Sequence, residues 1–396
     1  MNKQQFINKF LHLPYSINNL YGDPFFPTQV ENTFKKLDTL IQEGHKGVVS
    51  IITKTEITEV MATRLHSYVD KLNLVVLVSC SGLPYSIEKV KGNRINTIKL
   101  CVQYSIPVLP YIRPFIPDYN TNASTIDSLF KSISEAGLHI AVISGLRGND
   151  QILSNLDITK EEKQGWSARV KIIPRDMRSI LTEASAKYNI HLFERTSCGV
   201  ACILGDNHSY NPYYASPQLA KCHSCPLKQT CFDVQEWYSP TEKDLDLVTS
   251  LGYTAELVNN APCTLCKVHP EKRTECVSCC TSCFILERPR INILDKNLSL
   301  GDISFLRLLT GTLISCEGLV DSGESDIAIP RNPLLRDLNL YFLNSWASYS
   351  RNTSSCYNCS YCIVPTYKNQ QKEYGLPPRE MASLVWDRIH EGDLHE

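Results

Sequence analysis

The strongest constraint on this chain is a rhythm in its first 150 residues. Short runs rich in β-branched residues, GVVSIIT (47–53), LVVLVS (74–79), IPVLPYIRP (106–114) and HIAVISG (139–145), alternate with stretches of helical periodicity at 29–44, 56–72, 94–105 and 124–137. A brief, uninterrupted apolar run suits a strand covered on both faces, the situation of strands in parallel sheets. YSINNLY (15–21) supplies a further candidate strand. Strands and helices alternating at this spacing predict α/β architecture, with βα units around a parallel sheet or barrel.

At 396 residues, the chain has room for one large core with a smaller module, or for two to three domains. No apolar run approaches the ~18–20 residues of a membrane span, so no membrane partner is expected. The first residues, MNKQQFINKFLHLPYSINNLYGDPFF, lack the apolar stretch and small-residue cleavage site of a secretory signal. The expected location is cytoplasmic. A net charge of −1 gives no global basic footprint for nucleic acid.

Cysteine is the anomaly, with 17 residues. In a reducing compartment disulfides are disfavoured, and closely spaced cysteines read as metal or cluster ligands. Three groups stand out, while Cys80, Cys101 and Cys316 are expected to be small buried hydrophobes. KCHSCPLKQTC holds Cys222, Cys225 and Cys231, with Cys198 or Cys202 of SCGVAC as a fourth ligand. Four thiolates saturate a four-iron cluster, which would make this an auxiliary electron-transfer or structural centre; zinc, with His223 in reach, is the alternative. Cys263, Cys266, Cys276 and Cys279 form two Cys-x2-Cys knuckles close to a zinc ribbon, and the adjacent Cys280 and Cys283 keep a ferredoxin-like cluster open. Between 216 and 290, cysteine, proline and lysine displace the apolar runs, so this stretch is expected to fold around metal.

The third group, Cys356, Cys359 and Cys362 in RNTSSCYNCSYCIVP, offers only three thiolates. A zinc knuckle would need His390 or His395 to complete it. An iron–sulfur cluster held by three thiolates instead leaves one iron open to a cofactor or substrate, with Tyr361 adding an aromatic face.

CYNCSYC, placed after the candidate strand LNLYFLNSW (338–346) and before a helix at 377–390, resembles the cluster loop of radical S-adenosylmethionine enzymes. In that family three cysteines hold a [4Fe-4S] cluster whose open iron is chelated by S-adenosyl-L-methionine. The usual gap between the first two cysteines is three residues; here it is two. NNLYGDPFFPTQ (18–29), VVSIITKTEI (48–57), VVLVSCSGLPYSIEKVKGNR (75–94), PVLPYIRPFIPDYN (107–120) and IAVISGLRG (140–148) resemble, in order, strands two to six of the spore photoproduct lyase-like branch. The family's motif normally follows strand one near the start of the barrel. Joining the two ends of this chain restores that order, so the resemblance implies a partial (β/α)6 TIM-like barrel that is circularly permuted, which surface termini make physically plausible.

The resemblance further implies a set of site residues. Gly22 and Asp23 fall where the family holds the methionyl amino group, Lys54 where a lysine faces the carboxylate, and Ser79 where a hydroxyl meets the ribose. Tyr361 joins them beside the cluster, and Lys54 and Arg113 are the candidate catalytic residues. All but Tyr361 lie at or beside strand C-terminal ends, the face where βα barrels assemble their sites. The implied domains are a barrel from 1–155 and 338–396, an extension at 156–215, the cysteine-rich region at 216–290 and a mixed segment at 291–337, within which 300–314 reads as a buried helix.

Two functions follow. The first is a radical enzyme that reductively cleaves S-adenosyl-L-methionine to a 5′-deoxyadenosyl radical and abstracts hydrogen from a small-molecule or nucleic-acid substrate. It would draw electrons from a donor such as flavodoxin or ferredoxin. The second is a non-catalytic zinc-stapled binding protein on a degenerate barrel, with nucleic acid as its candidate ligand.

Overall fold

The structure is a computed structural model, and it describes residues 2–12, 14–17, 23–88, 90, 92–146, 154, 177–193, 196–205, 239–259, 289–295, 298, 302–303, 306, 309–316 and 378–390. The first strands and helices follow in alternation: α1 (Lys3–Phe10), β1 (Tyr15–Ile17), α2 (Val30–Gln42), β2 (Val48–Thr53), α3 (Glu59–Val69), β3 (Asn73–Cys80), α4 (Arg94–Gln103), β4 (Val108–Ile112), α5 (Ala123–Glu135) and β5 (Ile140–Ile143). Then come α6 (Met177–Tyr188), β6 (His191–Phe193) and α7 (Thr196–Leu204).

The six strands form one wholly parallel sheet in the order β1-β2-β3-β4-β5-β6. Each strand lies beside its sequence neighbour, so the sheet is wound in one direction. Side chains alternate across it, as the strand period of two requires. One face of β2 and β3, with Val49, Ile51, Val76, Val78 and Cys80, joins the main core with Leu37, Leu65, Ile98, Phe130 and Leu181 of α2 to α6. The opposite face carries Val48, Val75, Leu77, Leu109, Tyr111, Val142 and Phe193. That second face is covered by α7, whose Val200 is fully buried there. Gly199 makes the approach possible: a Cβ on it would stand 2.6 Å from Val142 Cγ2 and 3.0 Å from Leu109 Cδ2.

Local signals explain most of the boundaries. Thr58, Asn93 and Asn122 cap α3, α4 and α5 with side-chain oxygens. Gly44, at φ +72°, supplies the left-handed residue that closes α2. The helix α1 was not among the sequence expectations. Asn2 and Gln5 form a reciprocal capping box there, and Phe6 and Phe10 bury one turn apart.

A second sheet of three strands follows. After α8 (Glu242–Ser250), β7 (Ala255–Val258) pairs antiparallel with β8 (Arg290–Ile293), which pairs parallel with β9 (Ile314–Cys316). Residues either side of position 290 therefore share one sheet. The chain leaves β7 at Val258 and returns opposite it at Arg290. Within 300–314 the described positions 302–303, 306 and 309–310 are helical, with Ile303, Leu306 and Leu309 buried, before the chain extends into β9. Lys9 of α1 ties this unit to the first by pairing with Asp244 at 2.8 Å and donating to the Thr310 carbonyl at 3.1 Å.

The last described element, α9 (Pro378–His390), packs on α1. Phe6 and Trp386 rings lie 5.5 Å apart and Lys3 pairs with Asp387 at 2.7 Å. At the other end of α9, Arg379 Nε donates to the Glu43 carbonyl at 2.9 Å, beside the start of β2. The two helices are thus antiparallel, and α1 is the one that leads into β1.

Candidate functional site at the strand C-terminal ends

Parallel strands present all their C-terminal ends at one edge. Asp23, Lys54, Ser79 and Arg113 therefore arrive together there, after β1, after β2, at the top of β3 and after β4 respectively. Below these strand ends, the apolar sheet face is covered by α7.

Asp23 ties β1 to β2. Its Oδ1 accepts the Thr53 hydroxyl at 2.5 Å and the Phe25 N–H at 3.0 Å; its Oδ2 accepts the Lys54 N–H and, at 3.2 Å, that of Thr55. A carboxylate has about four lone-pair sites, and all four are engaged. The local role of Asp23 is to fix the turn that sends the Lys54 side chain off the end of β2.

Lys54 Nζ meets Glu88 Oε1 at 2.5 Å. Glu88 is buried, and its Oε2 accepts the Ser81 hydroxyl. Arg94 Nη2 lies 3.0 Å from the same oxygen, near enough to pair as charges. The approach is out of line for hydrogen bonding, and Arg94 Nε and Nη2 make no hydrogen bond among the described residues. Burial alone would raise the Glu88 carboxyl. Hydrogen bonds from Lys54 and Ser81, with the charges of Lys54 and Arg94, outweigh it and hold the group below the usual glutamate range. Asn120 braces the next loop, donating to the Ser81 and Pro114 carbonyls and accepting the Ile116 N–H at 2.7 Å.

Ser79 is fully buried on β3, and its hydroxyl has no hydrogen-bond partner among the described residues. An orphaned buried hydroxyl costs about 1–3 kcal/mol, so such a group marks a place where a partner is wanted. Its register neighbour on β4 is Tyr111. The Arg113 guanidinium lies 4.5 Å over the Tyr111 ring, and Thr196, first residue of α7, donates its hydroxyl to Tyr111 Oη at 3.4 Å.

Glu88, Ser81 and Arg94 were missed in the sequence, although SCSGLPYSIEKVKGNR contains all three. The available signal was a lone acid in a loop directly after a buried strand, one βα unit from a lysine similarly placed.

The remaining expected ligands divide in two. Gly22, Tyr361, Cys356, Cys359, Cys362, Cys222, Cys225, Cys231, Cys263, Cys266, Cys276, Cys279, Cys280 and Cys283 lie outside the described residues. Cys198, half-buried, and Cys202, exposed, stand one turn apart on α7. Among the described residues no group of three or more His, Cys, Asp or Glu is placed to hold a metal ion. Cys80 and Cys101 are buried thiols pushed up to about 12 by desolvation, which suits inert packing; Cys316 is half-buried. No helix of the described residues is long and apolar enough to cross a membrane. No known protein family and no curated protein matches the chain.

Proposed function

We propose that the chain is a cytoplasmic radical S-adenosylmethionine enzyme on a circularly permuted, partial (β/α)6 barrel. The observation that carries this reading is the mouth. Asp23, Lys54, Ser79 and Arg113 gather at the C-terminal ends of strands laid down in sequence order, with an unpartnered hydroxyl among them. The strand expected at 338–346 would extend the sheet beyond β1, its edge among the described residues. The packing of α9 on α1, which brings the two ends of the sequence together, is compatible with that closure.

Among the described residues Ser79 and Lys54 fit the cofactor, whereas the Asp23 carboxylate is filled by four donors of the chain and has no acceptor left for the methionyl amino group. Ser79 has both donor and acceptor capacity for a ribose hydroxyl. Lys54 is a cation for a carboxylate: one of its three N–H donors goes to Glu88, which orients it, and the others would serve that carboxylate. Cys356, Cys359 and Cys362 would hold the cluster, with Tyr361 and Gly22 beside it. When bound, the cluster and S-adenosyl-L-methionine supply reductive cleavage and hydrogen abstraction. The chain's own contribution is orientation: Asp23 fixes the Lys54 turn, Asn120 fixes the loops after β3 and β4, and the apolar sheet face under α7 excludes water. Flavodoxin or ferredoxin would supply electrons, and an auxiliary cluster or zinc would occupy the middle cysteine groups.

Anaerobic purification and reconstitution test the reading. Iron, acid-labile sulfide and dithionite-dependent 5′-deoxyadenosine are expected, with Cys359→Ala reduced to the uncatalysed background. Zinc without iron, or undiminished 5′-deoxyadenosine from Cys359→Ala, would overturn it.

A further inference from the structure

We infer that Arg113 is the receptor for an anionic group, a carboxylate or a phosphate, on the molecule that the mouth transforms. The inference rests on the reading of the mouth as the reaction site. Its ground is the contrast between Arg113 and four other described arginines. Arg64 meets Glu31, Arg94 meets Glu88, Arg379 meets Glu43 and Arg290 meets Ser315. Arg113 is half-buried and lies over the face of Tyr111; it makes no hydrogen bond or ion pair among the described residues.

Seating a guanidinium over a ring satisfies its face and leaves its in-plane N–H groups to be used. Those five donors match the paired oxygens of carboxylate and phosphate. The seat itself is rigid. Tyr111 is buried between Ser79 on β3 and Val142 on β5, its register partners, and its hydroxyl receives the Thr196 hydrogen bond. Arg113 is thereby seated on a fixed ring. Because α7 begins at Thr196, its N-terminal end faces the same region and adds positive potential.

Position separates this receptor from the cofactor's cation. Lys54 follows β2 and has Glu88 as counter-ion; Arg113 follows β4, with β3 and Ser79 between them. If Lys54 and Ser79 hold the cofactor, the anion at Arg113 belongs to the second molecule.

The test uses the full-length reconstituted protein. Inorganic phosphate and acetate are titrated separately at matched ionic strength with chloride, following the arginine Nε–H resonances by NMR and the unfolding temperature. A saturable shift of the signal that disappears in Arg113→Leu and Arg113→Gln is expected. Both substitutions should weaken the preferred anion by about tenfold or more, and Lys131→Met, an exposed lysine of α5 away from the mouth, by less than about twofold. The preferred titrant distinguishes a phosphorylated substrate from a carboxylic one. No saturable response to either anion, or equal affinity in wild type and both Arg113 variants, would overturn the inference. Loss of 5′-deoxyadenosine formation with anion binding intact would instead remove the cofactor reading and leave the receptor standing.

Discussion

Lys54 and Arg113 are cations at the tops of strands two apart, and the fold treats them oppositely. Around Lys54 the polar groups close on one another: Asp23 is filled by four donors, and Glu88 receives Lys54, Ser81 and the charge of Arg94. Around Arg113 they remain open. The guanidinium has only a ring beneath it, and the neighbouring Ser79 hydroxyl is unpartnered. The closed side builds the mouth, because removing a member leaves a buried charge or donor uncompensated. The open side has interaction capacity left for something that is not part of the chain.

An unpartnered group far from the mouth provides a control, and it carries the largest effect. His45 is buried between α2 and β2, at the opposite end of the sheet, and neither ring nitrogen has a partner among the described residues. Tyr15 meets it edge-on at 6.2 Å. Burial, with a smaller contribution from the positive charge of His12, lowers it from 6.5 to about 4. Above pH 6.5 the ring is neutral in both folded and unfolded chains and contributes no pH dependence. Between 6.5 and about 4 the unfolded chain takes the proton and the folded chain does not, so stability falls as pH falls. The full loss is about 3 kcal/mol, at 1.36 kcal/mol for each pH unit. Denaturant titrations of wild type and His45→Leu at several pH values should show this slope in the first and a flatter curve in the second. Equal slopes would mean that an orphaned buried group has no energetic signature here, which would weaken the argument from Ser79 as well.

Glu88→Ala comes next and bears on the closed side. It leaves Lys54 and Arg94 without their shared carboxylate. Breaking a buried pair costs about 3–5 kcal/mol, and the partial exposure of Lys54 reduces the expectation to about 2–3 kcal/mol. Chemical denaturation at neutral pH measures it. The acid response has the opposite origin from that of His45. The Glu88 carboxyl is held below the ordinary glutamate value of 4.5, so its stabilisation is present above that pH and is lost as pH falls below it. A loss under 0.5 kcal/mol in Glu88→Ala would show that the closed side is ornamental to folding and would remove the contrast.

How much of this was readable in advance depended on the range of the interaction. β2, β4 and β5 fall within the apolar runs that suggested them, and β3 overruns its run by one residue at each end, because a strand buried on both faces writes its signature into consecutive residues. The helix α1 was overlooked because its eight residues bury only Phe6 and Phe10, too few for a periodic pattern. The packing of α7 across the inner face was hidden for another reason. TSCGVACIL drew attention through its cysteines, whereas its decisive residue is Gly199, whose lack of a Cβ matters only against Val142 and Leu109. The β7–β8 pair joins positions more than thirty residues apart, and short strands of that kind carry no local mark of their partners. At the mouth, strand-end positions of Asp23, Lys54, Ser79 and Arg113 were legible. The Glu88 network was not, because its members come from two βα units and converge only in the folded chain.

The smallest expected effect falls on the open side, and it is the sharpest test of the contrast. Arg113→Leu removes a half-buried cation that has no ion pair to lose. Its ring contact with Tyr111 contributes about 0.5–1 kcal/mol at a partly exposed site, and a leucine over the same ring recovers part of that through apolar contact. The net change in unfolding free energy should therefore lie within about 0.5 kcal/mol, as for substitutions away from any network. Set beside Glu88→Ala, the pair of measurements separates a charge that holds the fold from one that the fold merely holds ready. A loss from Arg113→Leu as large as that from Glu88→Ala would mean that Arg113 supports the structure through a partner of its own, and the two sides of the mouth would then be alike.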